Sequence, residues 1–238
     1  MPPRTITVDA ILFIFRFPNP MKTDRGPVSI WTGLHKAWET FSIDYNLGDY
    51  LQIVHDTHGR RLADTLKDLC RIDDETKLQS EIDRFEEKVI EGGPIVLPGV
   101  HSLLSQLSSR DALGWTIVTS ATSNYAPRAL ERCSITLPPA GIVTSNDVTR
   151  GKPSPEPYLA GAAKCGADAI NCLVVEDAIS GIRAGKAAGS AVLAVCTSTA
   201  RETIIESDAG PDFVVSDLTK VTARWIDGKV EVTVDEDV

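Results

Sequence analysis

Val174-Val175-Glu176-Asp177-Ala178-Ile179-Ser180-Gly181-Ile182-Arg183-Ala184-Gly185 is the stretch whose reading decides the fold. An apolar run from Cys172 to Val175 ends in two adjacent carboxylates. A small-residue turn follows, and then Gly181, Ala184, Gly185, Ala187, Ala188 and Gly189 recur at spacings suited to close helix packing. The pattern predicts a buried parallel strand leading into a helix. Carboxylates at the C-terminal end of such a strand stand where open α/β sheets bind ligands, and oxygen pairs of this kind suit a hard cation such as Mg²⁺. A plainer reading has Glu176 and Asp177 simply opening the next helix, where the dipole favours them. That reading accounts for one acid better than for two.

Working outward, the same alternation recurs. Downstream, residues 191–196 form a further apolar run. Upstream lie a helical pattern at 158–165, the turn Lys152-Pro153-Ser154-Pro155, short strands at 141–144 and 115–119, and helices near 127–132 and 100–107. Strand–helix alternation of this kind predicts a parallel sheet with helices on both faces. Residues 6–15 read as one more buried strand, because Val8, Ile11, Leu12, Phe13, Ile14 and Phe15 form a near-continuous apolar run. From Pro27 to about Glu91 the spacing turns helical: Ile30, Trp31, Leu34 and Trp38 share a face, as do Leu62, Leu66 and Leu69, and later Ile82, Phe85 and Val89. Trp31 and Trp38 are expected to pack within this helical block. The fold class is therefore α/β, a Rossmann-like parallel-sheet core of residues 1–26 and 95–238 with an inserted α-helical cap of residues 27–94. A tail hairpin is expected at Asp227-Gly228, between residues 223–226 and the alternating Val230, Val232 and Val234.

Composition narrows the partners. The 238 residues carry 33 acidic against 24 basic side chains, a net charge of −9, which argues against nucleic acid or an anionic membrane. Five scattered cysteines, odd in number and without metal-site spacing, read as free thiols in a reducing compartment. The early apolar run is too short to span a bilayer and carries no cleavage-site pattern, so a cytoplasmic location is expected.

Three motifs, in order, resemble those of the haloacid dehalogenase superfamily, and within it the small phosphatases acting on sugar and polyol phosphates. They are Ile117-Val118-Thr119-Ser120-Ala121-Thr122, then Gly151-Lys152-Pro153-Ser154-Pro155, then Glu176-Asp177. The resemblance implies that the Ser120 hydroxyl and backbone N–H groups nearby, at Ala121, bind phosphate oxygens. It implies that Lys152 neutralises phosphate and the acidic cluster. It assigns Glu176 and Asp177 to Mg²⁺, with Asp177 the more direct ligand. His58-Gly59-Arg60-Arg61 resembles a cap loop reaching over the substrate, so Arg60 and Arg61 are candidates for binding a small anionic metabolite. Ser120, Lys152, Glu176 and Asp177 are expected to converge at the strand C-termini.

The family's first motif, Asp-x-Asp-Gly-Thr after the first strand, has no counterpart. Its first aspartate is the nucleophile and its second the acid/base. Residues 10–13 fit the preceding strand, which places Ile14 and Arg16 at the two aspartate positions. Anchoring instead on Asp24-Arg25-Gly26-Pro27-Val28 places Phe17 and Asn19 there. Neither register supplies a carboxylate. Asp9 lies at the wrong end of the strand, on the order of 13–17 Å away, and Asp24 has no partner acid. An isoleucine or phenylalanine cannot attack phosphorus, and an arginine offers no basic lone pair. Losing two oxygen ligands also weakens Mg²⁺ binding. Three readings stay open: a divergent member without phosphatase chemistry, inactive or repurposed for other small-molecule chemistry with Glu176 or Asp177 as acid or base, in which an inward Arg16 would pair with the acids in place of metal; a Mg²⁺-dependent phosphate monoesterase whose residues 14–23 are not the authentic product; and a non-catalytic metabolite-binding or interaction protein.

Overall fold

The computed structural model describes residues 2–14, 33–94, 96–109 and 113–236. One all-parallel sheet holds six strands, in spatial order β4 (Ile142–Val143), β3 (Trp115–Val118), β2 (Ala10–Phe13), β5 (Cys172–Glu176), β6 (Ala191–Val195) and β7 (Phe213–Val215). In β2, Leu12 registers with Thr116 on one side and with Val174 on the other. Every residue of β2, β3 and β5 is buried, which is why these strands read as unbroken apolar runs rather than alternating ones. The two faces still divide by parity. Ile11, Phe13, Ile117, Leu173 and Val175 pack toward α5 (Val100–Leu107). Leu12, Val118 and Val174 pack on the opposite face with Tyr158 of α7 (Glu156–Lys164) and Ile182 of α8 (Ile179–Ala187).

The strand expected over residues 6–15 is in fact two. The chain turns at Asp9, so that β1 (Arg4–Val8) leaves the main sheet and pairs antiparallel with β9 (Lys229–Val234), which in turn pairs with β8 (Val221–Ile226). Asp9 marks the crossing: its N–H donates to Asn171 O at 2.8 Å, and its carboxylate meets Lys229 at 2.9 Å. The hairpin supplies an edge that β1 fills, a long-range pairing that a local apolar pattern cannot register. The hairpin itself forms where expected. Asp227 and Gly228 take φ of 49° and 81°, the two left-handed positions of a type I′ turn. Helix α9 (Arg201–Glu206) leads from β6 into β7 at the far edge of the sheet.

Between β2 and α5 come α1 (Gly33–Tyr45), α2 (Tyr50–Asp56), α3 (Leu62–Cys70) and α4 (Glu75–Glu91). They bury a cluster of their own around Trp38, Phe41 and Phe85, whose rings meet edge to face at 4.8 and 5.1 Å between centroids. Asp49 and Asp74 cap α2 and α4 by accepting from Leu51 N and Lys77 N. Tyr125 and Ala129 of α6 (Tyr125–Arg132), which follows β3, complete this cluster and so join it to the sheet. Trp31 lies outside the described residues.

Gly99 opens α5 with φ of 83°, and a Cβ there would lie 2.1 Å from the carbonyl carbon of Leu218. Gly99→Ala is expected to lower unfolding free energy by about 2–4 kcal/mol. Urea denaturation reads this directly, and an unchanged midpoint would show that the 218–219 backbone yields freely.

Candidate functional site

Strand β5 carries Glu176 to the C-terminal edge of the sheet, where its side chain is fully buried. Lys152, on the turn before α7, donates to Glu176 Oε1 at 2.7 Å and to Val118 O at 3.2 Å. Tyr158, in the first turn of α7, donates its hydroxyl to the same Oε1 at 2.9 Å, and its ring lies 4.7 Å beneath the Lys152 ammonium. Glu176 Oε2 accepts from the N–H groups of Asp177 and Ala178 at 2.7 and 2.9 Å. Gly181 makes room for this arrangement, since a Cβ there would fall 1.7 Å from Oε1. The small residues of the opening motif thus serve the carboxylate as much as the helix packing.

Asp177 is 3% exposed and faces the cap. Its Oδ2 accepts from Ser198 Oγ at 2.6 Å, and its carbonyl accepts from Thr199 Oγ1 at 2.6 Å. Nε2 of His58 sits 2.9 Å from the same Ser198 oxygen and 3.9 Å from Asp177 Oδ1. Because Ser198 donates to Asp177, His58 Nε2 is the donor to Ser198. The cap loop is fastened at further points. Ser180 Oγ donates to His58 O at 3.4 Å, Ser120 Oγ to Gly59 O at 3.2 Å, and Arg61 Nη1 to Val148 O at 3.3 Å.

Of the residues singled out in the sequence, Lys152 and Glu176 are in direct contact and Asp177 adjoins them. Ser120 stands beyond the end of β3, on the other side of β2. With strands about 4.8 Å apart, the ends of β3 and β5 lie roughly 10 Å apart, and the cap loop bridges the gap. Arg61 pairs in two-pronged fashion with Asp64 at 2.7 and 2.9 Å, and its stem covers Gly151. Arg60 lines the cap–core cleft, with its guanidinium paired to Asp68. Ala121 lines the same cleft, and its N–H is held by Thr119 Oγ1 at 3.1 Å. Ile14 follows β2 directly: its N–H donates to Val175 O at 3.0 Å, and its side chain borders a cavity of about 70 Å³ with Phe13, Val175 and Asp177. Arg16, Phe17, Asn19 and Asp24 lie outside the described residues.

The cleft between cap and core measures about 140 Å³ and is bordered by Trp38, His58, Phe85, Glu86, Ser120 and Tyr125, among others. Glu86 of α4 is buried and accepts from Thr122 N at 3.1 Å and Thr122 Oγ1 at 2.5 Å. Burial pushes its carboxyl above the usual range, and the Thr122 hydrogen bonds oppose that rise. Sequence reasoning missed Tyr158, Glu86, Ser198 and Thr199. Ser198 and Thr199 carried a usable signal, as they follow an apolar strand at the sheet edge where ligands collect. Glu86 carried none, being one acid of many on a charged helix.

The chemistry open to this set is limited. A hard cation takes six or more oxygen ligands, yet Glu176 spends both oxygens on protein donors and Asp177 shares one with Ser198. Among the described residues no group of three or more His, Cys, Asp or Glu is placed to hold a metal. The described donors therefore fall short of a resident Mg²⁺ site. Removing one partner of the buried pair should be severe: Lys152→Met is expected to cost about 3–5 kcal/mol of stability by stranding Glu176. Tyr158→Phe should cost about 1.5–3 kcal/mol. Chemical denaturation of the two variants checks this order.

Known proteins share this framework. Residues 35–195 match the family model described as haloacid dehalogenase-like hydrolase. Hexitol phosphatase A of Escherichia coli (strain K12) is 34% identical over 164 residues, 68% of this chain and 74% of that protein. Glycerol-1-phosphate phosphohydrolase 2 of Saccharomyces cerevisiae is 32% identical over 173 residues, 68% of this chain and 67% of that protein. A solved hydrolase from Pseudomonas syringae shares the fold, with a TM-score of 0.69 at 22% identity, across 88% of this chain and 93% of its own. No described helix is long and apolar enough to cross a membrane. With its family model spanning the cap, the sheet edge and the Glu176–Asp177 strand, this chain belongs to the haloacid dehalogenase-like hydrolases.

Proposed function

We propose that this chain binds a small phosphorylated metabolite between the cap and the sheet edge without turning it over through an aspartyl-phosphate. The observation that carries this reading is Ile14. It follows the central strand β2, between the strands that present Ser120 and Asp177, with its N–H on Val175 O. A nucleophile attacking a phosphate held at Ser120 would stand there, and an isoleucine has no atom that can do so. What remains is binding chemistry: the Ser120 hydroxyl and the cap-loop Arg60 and Arg61, which a ligand would draw away from Gly59 O, Asp68 and Asp64. Lys152 lends its charge from a buried position on Glu176, which acts by positioning the ammonium and the Asp177 backbone. Hexitol phosphatase A and glycerol-1-phosphate phosphohydrolase 2 among the relatives favour a polyol phosphate as ligand. With no disulfide among them, the five cysteines fit a reducing, cytoplasmic setting.

A second reading has one observation in its favour. The family match starts at residue 35, downstream of residues 14–23. A chain whose authentic product differed there would regain its carboxylates and be a Mg²⁺-dependent phosphate monoesterase. Sequencing the transcript across Ile14 to Thr23 decides between the two products.

For the chain as it stands, a screen of sugar and polyol phosphates with Mg²⁺ is expected to show no turnover above that of Asp177→Ala. Ligands that bind should raise the melting temperature, and Ser120→Ala should remove the rise. Turnover in the wild type that Asp177→Ala abolishes would refute the non-catalytic reading.

A further inference from the structure

Glu86 is the carboxylate that borders the cap–core cleft among the described residues, and it is 5% exposed. It reaches from α4 of the cap to the loop after β3, where both of its oxygens meet Thr122. Thr122 Oγ1 also accepts from Tyr125 N at 3.2 Å, so the carboxylate is tied through Thr122 to the start of α6. The charged groups around it are few. Asp83, one turn earlier on α4, raises its proton affinity, and Arg128 of α6 lowers it. Arg128 itself is engaged by Glu87 at 2.8 Å on the surface. Tyr125 of α6 is a buried phenol pushed far up by burial and by Glu86. The loop at 57–61 contributes His58 and Arg60 to the same cleft, while α1 and α3 present Leu34, Trp38 and Thr65.

We infer that an anion held by the loop at 119–122 is bound together with a proton on Glu86. This rests on the reading that the loop holds the ligand's anionic group. Thr122 N is two residues from Ser120, hence within about 7 Å of it along the chain, and Glu86 and Ser120 border one cavity. An ionised carboxylate bordering the same cleft, itself buried, repels an anion held there, whereas a neutral carboxyl does not. The neutral form keeps the same contacts. Its carbonyl oxygen accepts from Thr122 N–H, and its hydroxyl donates to Thr122 Oγ1, whose own proton turns away. Protonation therefore removes the repulsion without undoing the tie between cap and core. Linkage is reciprocal: the anion raises the proton affinity of Glu86, and the proton raises the affinity for the anion. Affinity is highest below the pKa of Glu86 and falls as pH rises through it.

Sulfate tests this, because it stays a dianion between pH 5 and 8 while phosphate titrates. Calorimetric titration of the wild type over a pH series is expected to show binding that weakens about tenfold as Glu86 loses its proton. Near the midpoint, titrations in two buffers of different ionisation heat should reveal net proton uptake. E86Q preserves both Thr122 contacts and should bind sulfate tightly at every pH, without proton uptake. If E86Q keeps the wild-type pH dependence, His58 or another group is the linked site and the inference falls. Ser120-dependent binding that ignores pH overturns the linkage but leaves the binding reading intact. Sulfate binding that survives Ser120→Ala unchanged, or no binding at any pH, overturns both.

Discussion

The buried carboxylate of Glu176 holds the candidate site in register. It gathers an ammonium, a phenol and two backbone N–H groups from the turn before α7, from α7 and from the start of α8. Through Lys152, which also reaches Val118 O, it ties the end of β5 to the end of β3 across the central strand. A buried ion pair is no great source of stability compared with well-packed apolar side chains. What it supplies here is position. With the pair in place, the loop after β3 and the Asp177 backbone are fixed on either side of β2, whatever residue β2 leads into.

The cap is held to this frame in two physically different ways. Over Asp177 the 58–61 loop rests on hydroxyl and carbonyl hydrogen bonds, each modest and each exchangeable with water. On the other side, α4 reaches α6 through a buried carboxylate, whose state depends on charge as well as geometry. The same loop occupies the Ser120 hydroxyl with Gly59 O, so a ligand that takes that hydroxyl must displace a cap contact. Ligand entry and cap position are thereby coupled through a single serine.

Much of this was legible in the sequence because it rests on local pattern. The unbroken apolar runs at residues 172–175 and 115–118 announce strands buried on both faces, and Asp227-Gly228 announces its turn. The order of Ser120, Lys152 and Glu176-Asp177 along the chain resembles the family's without reference to geometry. Legibility ended where long-range contacts decide. Nothing near Asp9 says that β1 joins β9, some 220 residues on. Nothing in the spacing of Glu176 says that its oxygens turn inward to Lys152 and Tyr158, while Asp177 faces the cap. Glu86 looked like any other acid on a polar helix until burial set it apart.

The central strand has a further consequence for how the chain is made. β2 lies among the first fourteen residues, yet its two neighbours are residues 115–118 and 172–176. A ribosome therefore releases the middle of the sheet first and its flanks much later. Until Cys172–Glu176 emerges, β2 has at least one bare edge of four fully buried-type residues, Ala-Ile-Leu-Phe. Such an edge is a template for pairing with other chains, and non-local parallel pairing is slow. Helices α1–α4 are synthesised in that interval, and the cluster they bury is completed only when Tyr125 and Ala129 of α6 follow. The innermost strand of the sheet is thus the one whose pairing partners lie furthest along the chain, and its bare edge has to be kept from other chains until they arrive.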